Sequence, residues 1–593
     1  MLGEKLFMKW VMTKFNHRIL IALSCFLFIL IGHFNFSNTE LSVYESYSRS
    51  IVEDGDLNLS NQLFYKDDFR VVTKSGYFYT HHSYGNALIS TPFYLYGKLF
   101  SKISGLKKTT LNDGLRASND NLKPFNHSPN SVENFESFSM GVGVFLIFLF
   151  SFFSLLSSFS KELGLGGEKN KLFEIYNYLL LLSGPAFYYL FWGQSTPSLS
   201  IIVPLVLLFH FSRKQESKLN HLYFGVAFGI GVLIRVDFSL YALFVFYWWS
   251  KKSVNLSGKF FQFLGLSLVL IPFIFFEHLR LGSVEVGYLE TVYMNWMNVL
   301  DFYFSPYKGV FFSHPIVLII IVASSYVLIR DFKNKKQSQW RDEFLIAFII
   351  LMVKSILLSL TYSHAGGVLG PRQLIVDILL VGIFLSREAL TNKRVGFLLV
   401  FLFLNNLMMS LIYAYPYLAS RPLFQFNDGI ISFYQNYIEM IPILLSKPLS
   451  ILRPANLVNA FVAFSIPLLI LYSLRRFRSK AVEVIIIYFV LFNLVVVGLD
   501  ASSEKKVNNA EVRTSSMDAL MYYENAGSMI ERIRYLEGRH RIKEKEEFLM
   551  LLNVYFNKVQ DDLGFRESEM FKYHPLIRFD KNEEFLKSII RKR

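Results

Sequence analysis

The sequence predicts an all-α polytopic membrane protein with about thirteen transmembrane helices, a large first outward loop carrying short interfacial helices, and a small C-terminal outward domain. Three observations lead there. The 593 residues are 52% hydrophobic, with 61 Phe, too apolar for a soluble globular array. Their apolar runs reach the roughly 20 residues that a helix needs to cross a bilayer. The cations lie in alternate short loops between those runs.

The runs fall near 17–35, 138–160, 172–192, 195–213, 221–235, 237–250, 260–277, 310–330, 342–361, 373–387, 393–415, 456–475 and 481–499. The first is long and no small-x-small cleavage site follows it, so it is expected to be retained as a helix rather than removed as a signal peptide. Cys25, the one cysteine, lies inside it, which excludes disulfides and Cys-based metal sites. A net charge of +15 is also a footprint of nucleic-acid binding, but the placement of the cations argues against it. Lys161, Lys169 and Lys171 follow the second run; Arg213, Lys214 and Lys218 the fourth; Lys251, Lys252 and Lys259 the sixth. Arg330 to Arg341, Arg387 to Arg394 and Arg475 to Lys480 continue the alternation. The positive-inside rule then makes these loops and the N-terminus cytoplasmic. The first loop, about 36–137, and everything after Asp500 face outward.

Up to Gly97 the first loop reads as short amphipathic helices and turns, with Ala87–Ile103 apolar enough to lie in the interface. Residues 104–134, rich in Lys, Asn, Ser and Asp, read as a flexible link. Loops 278–309 and 416–455 are aromatic and contain Pro, a composition suited to covering a cavity at membrane level. Residues 1–499 form the membrane module, and 500–593 a charged, mostly helical outward tail.

The chemistry-bearing residues concentrate in the first loop. It carries Glu40, Glu45, Glu53, Asp54, Asp56, Asp67 and Asp68, then Tyr79-Thr80-His81-His82-Ser83-Tyr84-Gly85. Carboxylates and imidazoles just outside a hydrophobic helix can act where soluble and lipid-linked reactants meet. Glu40 is a base or an exposed charge favoured by a helix dipole. Glu53-Asp54-Gly55-Asp56 has turn composition. His81 and His82, adjacent in sequence, point in different directions on any regular element and make a poor mononuclear metal pair. Cations in the short outward loops are few and include Arg235, Arg280, Lys308 and Arg372. Each alone could snorkel to headgroups, whereas together they could grip a lipid phosphate. Arg372 is the sharpest, in a Gly370-Pro371-Arg372 turn that starts a helix. No Walker motif, dinucleotide fingerprint or nucleophile elbow provides for a soluble nucleotide donor.

Taken in order, these segments resemble the polytopic GT-C glycosyltransferases, which include protein O-mannosyltransferases and lipid A aminoarabinose transferases; the likeness spans most of 17–390. Thr39-Glu40 resembles the Asp-Glu placed directly after the first helix in that family, and Ser48–Leu57 the amphipathic segment that follows. His81-His82-Ser83-Tyr84-Gly85-Asn86 is similar to a His/Lys-Pro-Pro-x-Gly-type motif without its prolines. Gly225 to Asp237 resembles a Gly-rich helix ending in Leu-Thr-Arg, and Ser305–Phe311 and His364–Arg372 resemble segments of bacterial members.

The resemblance implies inverting transfer of a sugar from a polyprenyl-phosphate donor to a glycan, lipid or protein acceptor, at the outer face of a bacterial inner membrane. It implies Glu40 as base, with Asp56 or Asp54 as alternatives, and Arg235, Lys308, Arg372, His81, His82 and Tyr84 as substrate and lipid-phosphate contacts. No cofactor is expected; dependence on a divalent metal stays open, with no metal-ligand set assigned. Expected partners are the lipid-linked donor, the acceptor and membrane lipids, and no nucleic acid. Two rival readings remain. A transporter or flippase of lipid-linked sugars would need mid-bilayer charge, of which Lys354 is the clearest case, and a non-catalytic membrane scaffold could use the loop and tail equally well.

Overall fold

A computed structural model of the chain describes residues 47–57, 70–72, 78–80, 84–104, 132–191, 197–214, 217–281, 296–304, 310–334, 338–359, 372–390, 393–419 and 478–502. The expected runs at 17–35 and 456–475 lie outside them, as do nearly all of the 104–134 link and of the 500–593 tail.

The described chain is mostly helical. Its principal helices are α1 (Ala87–Ser104), α2 (Val132–Glu162), α3 (Gly167–Ser183), α4 (Ile202–Ser212), α5 (Lys218–Ile234), α6 (Ala242–Lys251), α7 (Leu256–Leu281), α8 (Pro315–Lys333), α9 (Gln339–Ser359), α10 (Ile375–Ala389), α11 (Lys393–Ala419) and α12 (Arg478–Ser502). Short helices Pro185–Phe191, Pro197–Ser200, Trp296–Phe304 and Val310–Ser313 lie between them. One strand pair was not anticipated. β1 (Arg70–Val72) and β2 (Phe78–Thr80) form an antiparallel ladder with Val71 opposite Tyr79. Its signal is local: β-branched and aromatic triplets flank a segment containing Ser75-Gly76.

Among the described residues, three segments are long and apolar enough to cross a membrane: Ser139–Glu162, Leu256–Phe276 and Pro315–Lys333. Pro197–Ser212, Lys218–Ile234, Arg394–Leu407 and Val482–Gly498 are apolar but shorter. The described apolar runs therefore coincide with helix, yet breaks shorten several of them. The run at 172–192 is interrupted at Gly184, ahead of Pro185. At 310–330 the break is at His314, where Pro315 starts α8 at its first turn. The run from 221 ends when Arg235 adopts extended backbone after α5.

Packing sorts the helices into inner and outer sets. In α10 every residue from Ile375 to Phe384 is buried, and α2 buries Phe135, Phe145, Phe148, Phe152 and Phe159 among others. A helix apolar on all sides belongs in the middle of an assembly. The outer helices instead expose large apolar side chains at helical spacing: Phe260, Phe263, Ile271 and Ile274 on α7, and Val484, Ile487, Leu491 and Leu494 on α12. Such stripes invert the pattern of a soluble protein and suit lipid as the surrounding solvent. α5 packs along α7. A Cβ on Gly225 would overlap the backbone of Gln262, and one on Gly265 that of Leu222, so glycine on both helices lets the two backbones approach.

Candidate functional site

The end of the bundle where α5 stops and α10 starts receives the first loop. The helical turn at 47–53 closes through the Asp54 and Gly55 N–H groups donating to Ser50 O at 2.8 and 3.0 Å. Gly55 takes φ +73°, in the left-handed region that glycine adopts without strain. Ser50 Oγ donates to Asp56 Oδ1 at 2.8 Å, and Asp56 is buried. This segment is pinned to α1 by a Ser48–Ser90 hydroxyl pair at 2.7 Å.

Tyr84–Asn86 forms a buried 3-10 turn directly before α1. The Tyr84 hydroxyl donates to Asn493 Oδ1 of α12 at 2.6 Å, and its ring meets Tyr47, Phe273 and Phe276. A Cβ at Gly85 would collide with the carbonyl of Leu233, one turn or less from Arg235. Ser200 Oγ donates to Asn86 Oδ1. The turn is thereby seated against the end of α5, the short helix Pro197–Ser200, and α12.

Next to it lies a network of four charges. Arg235, just past α5, forks onto Asp237 with Nε to Oδ1 and Nη2 to Oδ2, both 2.8 Å, while Nη1 donates to Ser198 Oγ at 2.8 Å. The 3-10 turn Val236–Tyr241 makes this possible, because it bends the chain back within two residues. Lys354 of α9 bridges Asp237 Oδ2 at 3.0 Å and Asp377 Oδ2 of α10 at 2.8 Å. The Tyr241 hydroxyl donates to Asp377 Oδ1 at 2.7 Å. Lys354 and Asp377 are each 1% exposed, and the two cations match the two carboxylates. Buried charges persist only when paired and hydrogen-bonded in this way. The 3-10 turn Arg372–Leu374 packs against Pro197–Ser200 and α9, which brings Arg372 to the same end.

A second polar group ties the loop to α2. The Tyr94 hydroxyl of α1 lies 3.1 Å from Glu53 Oε1 and 2.9 Å from Glu136 Oε2. Arg49 Nε reaches Glu53 at 3.2 Å and Lys98 Nζ reaches it at 3.5 Å. Burial pushes the Glu53 carboxyl up, but Arg49 and Lys98 outweigh it and hold the group below the ordinary carboxylate range. For Glu136, three residues before the apolar stretch from Ser139, burial prevails and pushes the carboxyl up against the pull of Tyr94 and Arg49.

The opposite end carries its own ion pairs. Arg213, past α4, meets Glu162 at the end of α2 and lies 3.7 Å from Glu343 of α9. Trp248 Nε1 donates to Glu343 at 2.9 Å, and Lys251 lies 3.4 Å from Asp342. Side chains from the ends of α2, α4 and α6 and the start of α9 thus meet.

Of the sequence-derived site residues, Asp54, Asp56, Tyr84, Arg235 and Arg372 are described, and all five belong to the loop-bearing end. Glu40, His81, His82, Lys308 and the side chain of Arg280 lie outside the described residues. Asp237, Tyr241, Asp377 and Ser198 were not singled out from sequence. For Asp377 a signal was available: it and Lys354 are opposite charges within consecutive apolar runs, one toward the end of α9 and the other in the first turn of α10. Among the described residues no three His, Cys, Asp or Glu side chains gather where they could hold a metal ion. The fold and this end define a helical protein with membrane-length apolar helices and a polar, loop-capped end. Comparison with protein-family models, curated proteins and solved structures finds no match.

Proposed function

We propose that the chain is an inner-membrane glycosyltransferase of the GT-C type, with about thirteen spans, that moves a sugar from a polyprenyl phosphate to an acceptor at the extracytoplasmic face. The observation that carries the reading is convergence. Three of the segments on which the family resemblance rests, Ser48–Leu57, Tyr84-Gly85-Asn86 and the Arg235 end of α5, meet at one end of the bundle although nearly 150 residues or more separate the last from the others. The stripes of exposed apolar residues support residence in a bilayer.

In this mechanism Glu40 accepts the proton of the acceptor hydroxyl or amine as that atom attacks the sugar's anomeric carbon. The bond from that carbon to the phosphate oxygen breaks with inversion, and the polyprenyl phosphate leaves with the electron pair. Fixed cations stabilise the charge developing on it. Arg372 and Lys308 are assigned that task together with Arg235, whose fork is shared with Asp237 and is therefore contested by the phosphate. Asp56 is committed to Ser50, which favours Glu40 as base. Tyr84, tied to Asn493, supports the loop from beneath.

One observation favours a rival. The Arg235–Asp237–Lys354–Asp377 network, with Lys354 and Asp377 buried, resembles the charge relays of transporters. Glu40→Gln separates the readings. Loss of transfer with intact folding and donor binding supports the enzyme, whereas undiminished transfer removes Glu40 as base and undiminished lipid-linked sugar movement without any transfer supports transport.

A further inference from the structure

We propose that Glu136 carries a proton which joins it, through the Tyr94 hydroxyl, to Glu53, and that this proton latches residues 47–57 of the first loop onto α1 and the start of α2. The argument is a count of hydrogens. A phenol has one hydrogen to donate, and Tyr94 Oη lies within hydrogen-bond distance of two carboxyl oxygens, 3.1 Å from Glu53 and 2.9 Å from Glu136. If both acids were ionised, one carboxylate oxygen would face the phenol oxygen with no hydrogen between them. A proton on one carboxyl resolves this, since that group then donates to Tyr94 Oη while Tyr94 donates to the other.

The surroundings decide which acid holds it. Glu53 faces Arg49 of its own turn and Lys98 of α1 and keeps 28% of its side chain exposed, conditions that favour a carboxylate. Glu136 is 5% exposed, and a Cβ added to Gly97 would come within 2.9 Å of its Cα, so α1 presses against it and excludes water. Among the described residues, the titratable and charged groups that act on it are Tyr94 and Lys98 from α1 and Arg49 and Glu53 from the loop turn, and neither cation makes an ion pair with it. The opposite displacements of the two carboxyls agree with this division, as expected for coupled acids.

The latch has a pH window. Glu136, raised on docking, contributes stability that is present at low pH and lost as pH rises through its raised value. Glu53, lowered on docking, contributes stability that is present above the ordinary carboxyl range and lost as pH falls through its lowered value. Docking is therefore firmest between the two. When Glu136 loses its proton to water, two anions share one phenol and the 47–57 segment loosens.

Two measurements on the full chain in lipid nanodiscs test this. In hydrogen exchange, corrected for intrinsic rates, protection of residues 47–57 is expected to fall as pH rises in the native protein and to stay flat in Glu136→Gln, whose amide donates to Tyr94 at every pH. Equal alkaline loss in both overturns the proposal. By infrared spectroscopy at a pH where ordinary carboxyls are ionised, the native protein is expected to show a protonated-acid carbonyl band that disappears in Glu136→Gln and shifts in Tyr94→Phe. A native spectrum without that band, or a band unchanged by both variants, overturns it as well.

Discussion

Lys354 shows what a single buried charge requires. Its ammonium sits between Asp237 and Asp377, and with Arg235 the group sums to zero. Replacing Lys354 by Met leaves Asp377 buried with only the Tyr241 hydroxyl among the contacts described here, so a loss of roughly 3–5 kcal/mol is expected for breaking a buried pair. Thermal unfolding of the purified full chain measures it. The double variant Lys354→Met/Asp377→Asn should lose clearly less than the sum of the single variants, because the second change removes the uncompensated anion. Additive losses would mean that the two residues do not interact. At this scale the sequence was partly legible. Lys354 stands out as a charge in an apolar run, but its partners come from α10 and from the turn after α5, and a one-dimensional pattern does not say which helices are neighbours. The same limit applies to Tyr84. A tyrosine in an outward polar loop reads as a surface contact, yet the loop folds in far enough for its hydroxyl to reach Asn493, more than 400 residues away.

Among elements, helix positions were the most legible feature, because period and length of apolar runs are local properties. The breaks were less so. Gly184-Pro185 and His314-Pro315 carry recognisable stop signals, whereas the break at Arg235 depends on the bidentate pair with Asp237 that the extended residue makes possible. Close helix approach follows from small residues, and α5 and α7 meet through Gly225 and Gly265. Gly225→Leu forces the two backbones apart and is expected to cost at least the roughly 1–3 kcal/mol typical of overpacking. Because α12 packs on both helices and holds Tyr84, the same variant should also raise exchange in the Tyr84–Asn86 turn. An exchange pattern confined to α5 and α7 would show that the turn is held independently of their spacing.

For the whole molecule, the two ends of the described bundle carry different charge groups. Arg213, Lys251, Glu162, Asp342 and Glu343 meet at one end, and the first loop, Arg235 and Arg372 meet at the other. The proposed chemistry belongs to the second end, where a soluble acceptor and the head of a lipid-linked donor could both arrive. That a loop carrying several acids would come to rest beside a balanced group of two cations and two carboxylates was not legible from composition, since only the folded contacts reveal which cations are already neutralised. The central claim is that this chain consumes a sugar carried on a polyprenyl phosphate, and the most direct measurement is the lipid-linked sugar profile of cells with and without it. Cells lacking the chain are expected to accumulate one polyprenyl-phosphate sugar, restored to its normal level by the native gene but not by Glu40→Gln. An unchanged profile would contradict the account.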